Sequence, residues 1–273
     1  MEHSARESGH LMLITPERVY YAGLLGRPRE RCPGAFHVYV ALQGGLWLST
    51  ADGQSSHGEL AVTMPNLRHT ITSEHRAAIC VAIEPESVCD GVLETWRQRL
   101  SGAEGASFAR RIRATYEHLL NRMGSGDVDS AALDQMCFGE LLARRALDPR
   151  VARAIAKIEK FSGEPVTATA CAAEVGLSTS RFLHLFKQET AISFRAFRAW
   201  KRARHLLNFA NQDVNLAHLA QDIGYPDSTH FSHSIRRFYG LKPRAIFSGS
   251  RDLAIYRSDR PEGASSGLTQ EAG

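Results

Sequence analysis

Two segments of the sequence place the same residue types at the same spacing, and both hold side chains suited to hydrogen bonding with a partner. The run Ala172–Leu177 (Ala-Ala-Glu-Val-Gly-Leu) recurs 48 residues later as Ala220–Tyr225 (Ala-Gln-Asp-Ile-Gly-Tyr). A phenylalanine follows each run, Phe182 in the first copy and Phe231 in the second. The intervening positions carry hydroxyl, imidazole and cationic groups, which can bond to a polar or anionic partner.

The repeated pattern predicts two helix-turn-helix units. A small residue, Ala172 or Ala220, is needed where the second helix crosses the first. Gly176 or Gly224 then supplies the left-handed backbone of a tight turn. Phe182 and Phe186 are four residues apart, so both anchor the second helix of the first copy inward. The residues between them then face outward, as in a helix that enters a groove of nucleic acid.

The charge is divided unevenly along the chain, whose net charge is +4. Residues 1–150 carry −2, residues 151–250 carry +7 and residues 251–273 carry −1. All five lysines lie between Lys157 and Lys242. A basic second half joined to an acidic first half predicts a polyanion as the partner of the second half.

Composition and motif content argue against several classes of protein. With 43% hydrophobic and 23% charged residues, the chain is neither fibrous nor wholly disordered. The longest apolar run, residues 77–83, is far shorter than the ~18–20 residues of a membrane helix, and residues 1–4 do not resemble an export signal. The five cysteines are scattered without a CxxC pair, which favours a reducing compartment. We therefore expect a cytoplasmic protein that does not contact a membrane.

The spacing of apolar residues divides the chain into four parts of an α+β multidomain protein. Residues 1–85 show short strands separated by turn residues, which is typical of a sandwich or small barrel. Residues 86–147 carry helical spacing and are expected to form a dimerisation or interdomain region, in which the helix with Arg110, Arg111 and Arg113 is either a dimer face or a helix packed on its own barrel. Residues 151–250 are predicted to be helical throughout, with a long helix over 193–210 joining the two repeat copies. Residues 251–273 have the composition of a disordered tail.

The basic segment, residues 151–248, resembles the DNA-binding domain of the AraC/XylS family of bacterial transcription regulators. Besides the repeat, the resemblance rests on Gly224–Ser232 (Gly-Tyr-Pro-Asp-Ser-Thr-His-Phe-Ser) and Phe238–Pro243 (Phe-Tyr-Gly-Leu-Lys-Pro). It implies a seven-helix domain whose third and sixth helices enter adjacent major grooves of double-stranded DNA. It also implies a homodimer, with RNA polymerase as a further partner.

The resemblance assigns roles to individual residues by position. The family often has Arg where this chain has His184, His233 and Ala199. Because histidine offers one donor or acceptor where arginine bonds guanine with two, guanine is less expected opposite those histidines. The base-reading residues would be Ser180, Leu183, His184, Ser228, Thr229, Ser232 and His233, and the phosphate-binding residues would be Arg181, Lys187, Arg236, Arg237 and Lys242.

The N-terminal part resembles the second half of a cupin-type β-barrel, the common sensor domain of that family. The resemblance rests on Gly58-Glu59-Leu60 and on the spacing of Pro65 and His69, both following the Gly44-Gly45 turn. It implies a barrel that binds a small-molecule effector. The candidate pocket residues are Phe36, Tyr39, Leu42, Trp47 and His69, although alternating strand residues of this kind also form an ordinary core.

Two other functions stay open at this point. The first is a metal-dependent cupin enzyme with an accessory DNA-binding domain, in which His69 would be a metal ligand. Such sites pair this histidine with an H-x-H and a glutamate, whereas the matching region offers only His37, and His57 and His75 fall at predicted turns. We therefore expect no metal, no cofactor, no catalytic residue and no enzyme activity. The second is a DNA-binding dimer that needs no effector.

Overall fold

The computed structural model describes residues 9–27, 29–122, 128–161, 166–249 and 252–258. A β-rich N-terminal domain with three helices precedes a helical C-terminal domain. The strands are β1 (Leu11–Ile14), β2 (Arg18–Leu24), β3 (Phe36–Ala41), β4 (Leu46–Thr50), β5 (Ser55–Gly58), β6 (Leu60–Thr63), β7 (His69–Ser73), β8 (Ala77–Ile83) and β9 (Ala254–Arg257). The α-helices are α1 (Val92–Ser101), α2 (Gly105–Arg122), α3 (Ser130–Phe138), α4 (Pro149–Glu159), α5 (Ala168–Glu174), α6 (Thr179–Thr190), α7 (Phe194–His205), α8 (Leu216–Asp222), α9 (Ser228–Tyr239) and α10 (Pro243–Gly249).

Two sheets build the N-terminal domain. The larger has the strand order β6-β3-β8-β2-β1-β9, and the smaller has the order β5-β4-β7. Residues from both sheets, including Tyr39, Leu46 and Ile71, share one apolar cluster, so the sheets pack against each other. In the described residues the outer strands of the two sheets do not pair, and a barrel needs that pairing to close. The β-rich domain is confirmed, whereas a closed cupin barrel is not.

The helices α1, α2 and α3 cover part of the larger sheet. Phe36 and Val38 of β3 pack in one cluster with Trp96 of α1, Ile112 of α2 and Leu133 of α3. Every residue of β3 is buried, because its other face meets the smaller sheet and the C-terminal domain. The arginine-rich helix α2 therefore packs on the sheet of its own chain, as one of the two sequence-based interpretations held.

The strand β9 belongs to the N-terminal sheet although it follows the helical domain in the sequence. It pairs in parallel with β1, with Leu11 opposite Ala254 and Ile14 opposite Arg257. The prediction of a disordered tail over residues 251–273 is thus wrong for 254–257, and residues 259–273 lie outside the described residues. Four residues are too few for a periodic pattern, and the partner that orders them lies at the other end of the chain.

The C-terminal domain has two apolar clusters. Phe182, Phe186 and Phe194 belong to the first, which is internal to the domain. Trp200 and Phe238 belong to the second, which continues onto β1 and β2 of the larger sheet. The second half of the helical domain therefore shares its core with the N-terminal domain. The long helix predicted over 193–210 ends as α-helix at His205 and continues as a 3-10 turn, Leu206–Phe209. No helix within the described ranges is long and apolar enough to cross a membrane.

Candidate nucleic-acid interface

The first predicted helix-turn-helix unit consists of α5 and α6. The Thr167 hydroxyl caps α5 by accepting from the Ala170 amide, and the Ser178 hydroxyl caps α6 by accepting from the Arg181 amide. Between the helices, Gly176 has a φ of +65°, and the following amide of Leu177 donates to the carbonyl of Ala172 over 2.9 Å. A Cβ at this position would meet nothing within 4 Å, so space does not require glycine. The left-handed backbone conformation does, because side chains other than glycine rarely adopt it.

The second unit, α8 and α9, repeats this geometry. Gly224 has a φ of +79°, and the amide of Tyr225 donates to the carbonyl of Ala220 over 2.8 Å. The Asp227 carboxylate caps α9 by accepting from the amides of Thr229 and His230. The sequence repeat therefore corresponds to two helix-turn-helix units with the same turn, as predicted.

The second helix of each unit has one buried and one exposed face. The buried face of α6 carries Phe182 and Phe186, and the buried face of α9 carries Phe231 and Ile235. On the opposite face, the residues predicted to read bases are solvent-exposed, apart from the half-buried Ser232. This placement leaves Ser180, Leu183 and His184 of α6 and Ser228, Thr229 and His233 of α9 accessible to a partner.

The five residues predicted to bind phosphate are also exposed. They are Arg181, Lys187, Arg236, Arg237 and Lys242. Within the described part of the chain none of them forms an ion pair with a carboxylate, whereas Lys157 pairs with Glu174 and Arg150 with Asp148. Cations without a carboxylate partner are available to a polyanion.

The end of α9 also contacts the N-terminal domain. The carbonyl of Arg237 accepts from the amide of Cys32 over 2.7 Å, and Lys242 lines a cavity between the domains. Arg237 and Lys242 therefore lie at the domain boundary.

A buried ionic cluster connects the domains at α7. The carboxylate of Glu84, just after β8, lies 2.8 Å from Nζ of Lys201 and 2.8 Å from Nε of Arg204, and it accepts from Nε1 of Trp200 at 3.0 Å. Lys201 also pairs with Glu86. Burial alone would raise the pKa of Glu84, but the two cations outweigh it and lower that pKa. No local feature of the sequence indicates this cluster, because nothing in the sequence distinguishes a buried lysine within an arginine-rich helix from a solvated one.

The five residues predicted to form an effector pocket do not gather in one place. Because side chains alternate along a strand, Phe36 and Tyr39 of β3 lie on opposite faces, and Phe36 packs with Leu42 beneath the helices. The Tyr39 hydroxyl lies 3.0 Å from Nε2 of the buried His69. Trp47 is 44% exposed and packs on His57 at the outer surface. In the described residues no group of three or more His, Cys, Asp or Glu side chains could hold a metal ion.

Only Tyr39 of those five lines the cavity between the domains, which has a volume of about 550 Å³. Strands β1, β2, β3 and β8 form one wall, and α7, α9 and α10 form the other. The size falls within the range of small-molecule sites, roughly 300–1,000 Å³.

Comparison with known proteins supports the helix-turn-helix assignment. A family described as a helix-turn-helix domain matches residues 171–248. The transcriptional activator RhaS of Escherichia fergusonii is 34% identical over 111 residues, which are 40% of this chain and 39% of that protein. RhaS of Escherichia coli O139:H28 is 26% identical over 242 residues, covering 78% of this chain and 86% of that one. The first alignment thus spans well under two thirds of its relative.

Among solved structures, ToxT from Vibrio cholerae O395 covers 85% of this chain and 97% of its own, with a TM-score of 0.54 and 10% identity. An apo form of a ToxT variant from Vibrio cholerae strain SCE256 gives a TM-score of 0.53 at 12% identity, over 86% of this chain and 98% of its own. These similarities extend over both domains and show a shared fold.

Proposed function

Because residues 171–248 form a helix-turn-helix domain of the AraC type, we propose that this protein is a sequence-specific transcription regulator that binds duplex DNA through α6 and α9. The observation that carries the proposal is the pair of units with matching turns, each presenting an exposed polar face on its second helix. Each helix enters one of two successive major-groove segments.

The two sets of exposed residues have different tasks. Lys187 and Arg236 neutralise phosphates, which supplies affinity that weakens with salt. His184 and Ser228 contact base edges, which supplies sequence preference. Arg181, Arg237 and Lys242 join the first set, and the remaining exposed residues of the two helices join the second.

The regulator responds to a small-molecule effector that the N-terminal domain helps to bind, and it acts as a homodimer in the cytoplasm. RhaS is named an activator, which supports activation through contact with RNA polymerase and supports a regulator over a metal-dependent enzyme. A shared core and a buried ionic cluster connect the domains. A ligand that stabilises or destabilises this docked arrangement can therefore change DNA binding.

Selection from random duplexes, with electrophoretic readout, tests the DNA assignment. We expect His184→Ala or Ser228→Ala to change the selected sequence. Lys187→Ala or Arg236→Ala should instead weaken binding to all sequences and reduce the slope of log K against log salt by about 1. Arg110→Ala, an exposed arginine of α2 in the other domain, is the matched control and should change neither property. If none of the four helix variants alters binding, the assignment of α6 and α9 is wrong.

A further inference from the structure

A large apolar side chain lies exposed on one of the two helices that are proposed to enter DNA. Leu183 of α6 is 39% exposed, and it belongs to none of the apolar clusters that the described residues form. The other exposed large apolar residues of the described chain, Leu24, Trp47 and Leu141, lie outside the helix-turn-helix units. A single exposed leucine is common on protein surfaces, so the meaning of Leu183 depends on its position in α6.

Leu183 lies on the part of α6 that is proposed to face the DNA. Ser180 precedes it by three residues and Lys187 follows it by four, so the three side chains lie along one face of the helix. All three are exposed, whereas Phe182 and Phe186 of the same helix are buried in the core. Leu183 therefore lies between a proposed base contact and a proposed phosphate contact.

The sequence repeat gives each residue of α6 an equivalent residue of α9, 49 positions later in the chain. Three equivalent pairs on the exposed faces keep the chemistry of the side chain, and they are Ser180 with Thr229, His184 with His233 and Lys187 with Arg236. The pair of Leu183 and Ser232 instead has an apolar side chain in one helix and a hydroxyl group in the other. Leu183 is therefore the only apolar member of the set of residues predicted to read bases.

An apolar side chain can recognise one particular group in the major groove. The base edges there present hydrogen-bond donors and acceptors, and only thymine adds an apolar group, its C5-methyl. Against a donor or acceptor, leucine would displace water without replacing the hydrogen bond that the water made, which is unfavourable. Against the methyl group, two apolar surfaces leave water together, which is favourable. The chemistry of Leu183 thus favours thymine.

We propose that Leu183 contacts the C5-methyl group of a thymine in the major-groove segment bound by α6. This contact gives that segment a thymine preference, which the segment bound by α9 lacks at the position read by Ser232. The inference rests on the proposed function, because it requires α6 to enter the groove. Ser180 and His184 then bond to neighbouring base edges, and Lys187 binds the phosphate backbone.

Uracil in place of thymine tests the contact, because the two bases differ only in the C5-methyl group. The full chain first selects its site from random duplexes, and the segment bound by α6 is the one whose selected sequence changes in His184→Ala. Each thymine of that segment is then replaced by deoxyuridine, one at a time, in an electrophoretic binding assay. At one of them we expect affinity for the unmodified protein to fall about fourfold, the effect of removing one buried methyl group. In Leu183→Ala the same replacement should change affinity by less than about twofold.

Two further variants complete the test. Leu141→Ala removes an exposed leucine outside the helix-turn-helix units, and it should keep the uracil effect of the unmodified protein. Leu183→Ser gives α6 the residue that α9 carries at the equivalent position. It should abolish the thymine preference in the segment bound by α6 and leave the sequence selected by α9 unchanged. The uracil measurement on the unmodified protein needs no variant, so misfolding cannot obscure it.

The possible results separate this proposal from the function it rests on. A selected α6 segment without thymine would overturn the thymine contact, as would a change of less than about twofold on uracil replacement or an equal uracil effect in Leu183→Ala. If these results come with a site that depends on His184 and Ser228, they refute the thymine contact alone and leave the regulator standing. A protein that selects no DNA sequence refutes both.

Discussion

Nζ of Lys201 lies 2.8 Å from Oε2 of Glu84, in an ion pair that crosses from the helical domain to the end of the N-terminal sheet. The side chains are only 3% and 2% exposed. Arg204 of the same helix forms an ion pair with the same carboxylate, and Nε1 of Trp200 donates a hydrogen bond to it. Three contacts from one helix to one acidic group fix how α7 docks on the sheet, and with it the placement of both helix-turn-helix units.

Removing the lysine of this pair should destabilise the protein strongly. In Lys201→Met the Glu84 carboxylate stays buried with less compensating charge, and we expect a loss of about 3–5 kcal/mol in the free energy of unfolding. Urea denaturation measures it. The exposed pair of Arg68 and Glu30 is the control, and Arg68→Met should cost less than about 1 kcal/mol.

The double variant Glu84→Gln, Lys201→Met tests whether the two charges act on each other. Since it removes both charges of the pair, its loss should be smaller than the sum of the two single losses. Strict additivity would contradict a direct coupling between Glu84 and Lys201.

Buried histidines should make the protein less stable in mild acid. Burial lowers the pKa of His37 to about 3 and that of His69 to about 4, below the value of about 6.5 in an unfolded chain. The unfolded state therefore binds more protons below pH 6.5. The stabilisation is complete above pH 6.5 and is lost as the pH falls towards 4, by roughly 1.4 kcal/mol per pH unit for each histidine.

Urea titrations at pH 7, 6 and 5 measure this slope. His69→Gln should flatten it by the contribution of one histidine, and His118→Gln, an exposed histidine of α2, should not. An unchanged slope in His69→Gln would show that His69 has the same pKa in the folded and the unfolded protein.

Replacing the turn glycine of the first unit should destabilise the folded protein. Gly176 has open space around it but a φ of +65°, so Gly176→Ala should lose about 1–2 kcal/mol through backbone strain. Gly58→Ala is a suitable control, because Gly58 lacks a positive φ and its added Cβ would make only an ordinary contact. Thermal unfolding compares the two, and equal losses would mean that the turn does not need a left-handed residue.

The strand β9 should stabilise the N-terminal sheet. Deleting residues 252–273 removes the bonds from the Ala254 amide to the His10 carbonyl and from the Ser258 amide to the Ile14 carbonyl. We expect a lower melting temperature and faster amide exchange in β1. Deleting only residues 259–273 retains β9 and should change neither property. Equal effects of both deletions would exclude a role for β9.

Local features of the sequence predicted the helix-turn-helix units well. The conformations of Gly176 and Gly224 and the Asp227 cap depend on residues within a few positions, so their signals lie together in the chain. The β-rich character of the N-terminal domain followed from strand spacing. Strand spacing left a sandwich and a small barrel both open, since barrel closure depends on pairing between distant strands.

The contacts between the domains could not be predicted in this way. Lys201 belongs to a residue type that is usually solvated, and it is buried where its helix meets Glu84 of the other domain. The effector-pocket prediction relied on residue type along β3. The alternation of that strand then sends Phe36 and Tyr39 to different sides of the sheet.

The pairing of β9 with β1 also sets an order of events during synthesis. About 240 residues separate the two strands in the sequence, so a ribosome adding 5–20 residues per second needs roughly 10–50 s to complete β9 after β1. During that interval the outer edge of β1 exposes unpaired backbone groups on the nascent chain. The last strand to be synthesised pairs with the free edge of the first. The sheet is therefore complete only after the ribosome has translated the helical domain that lies between them in the sequence.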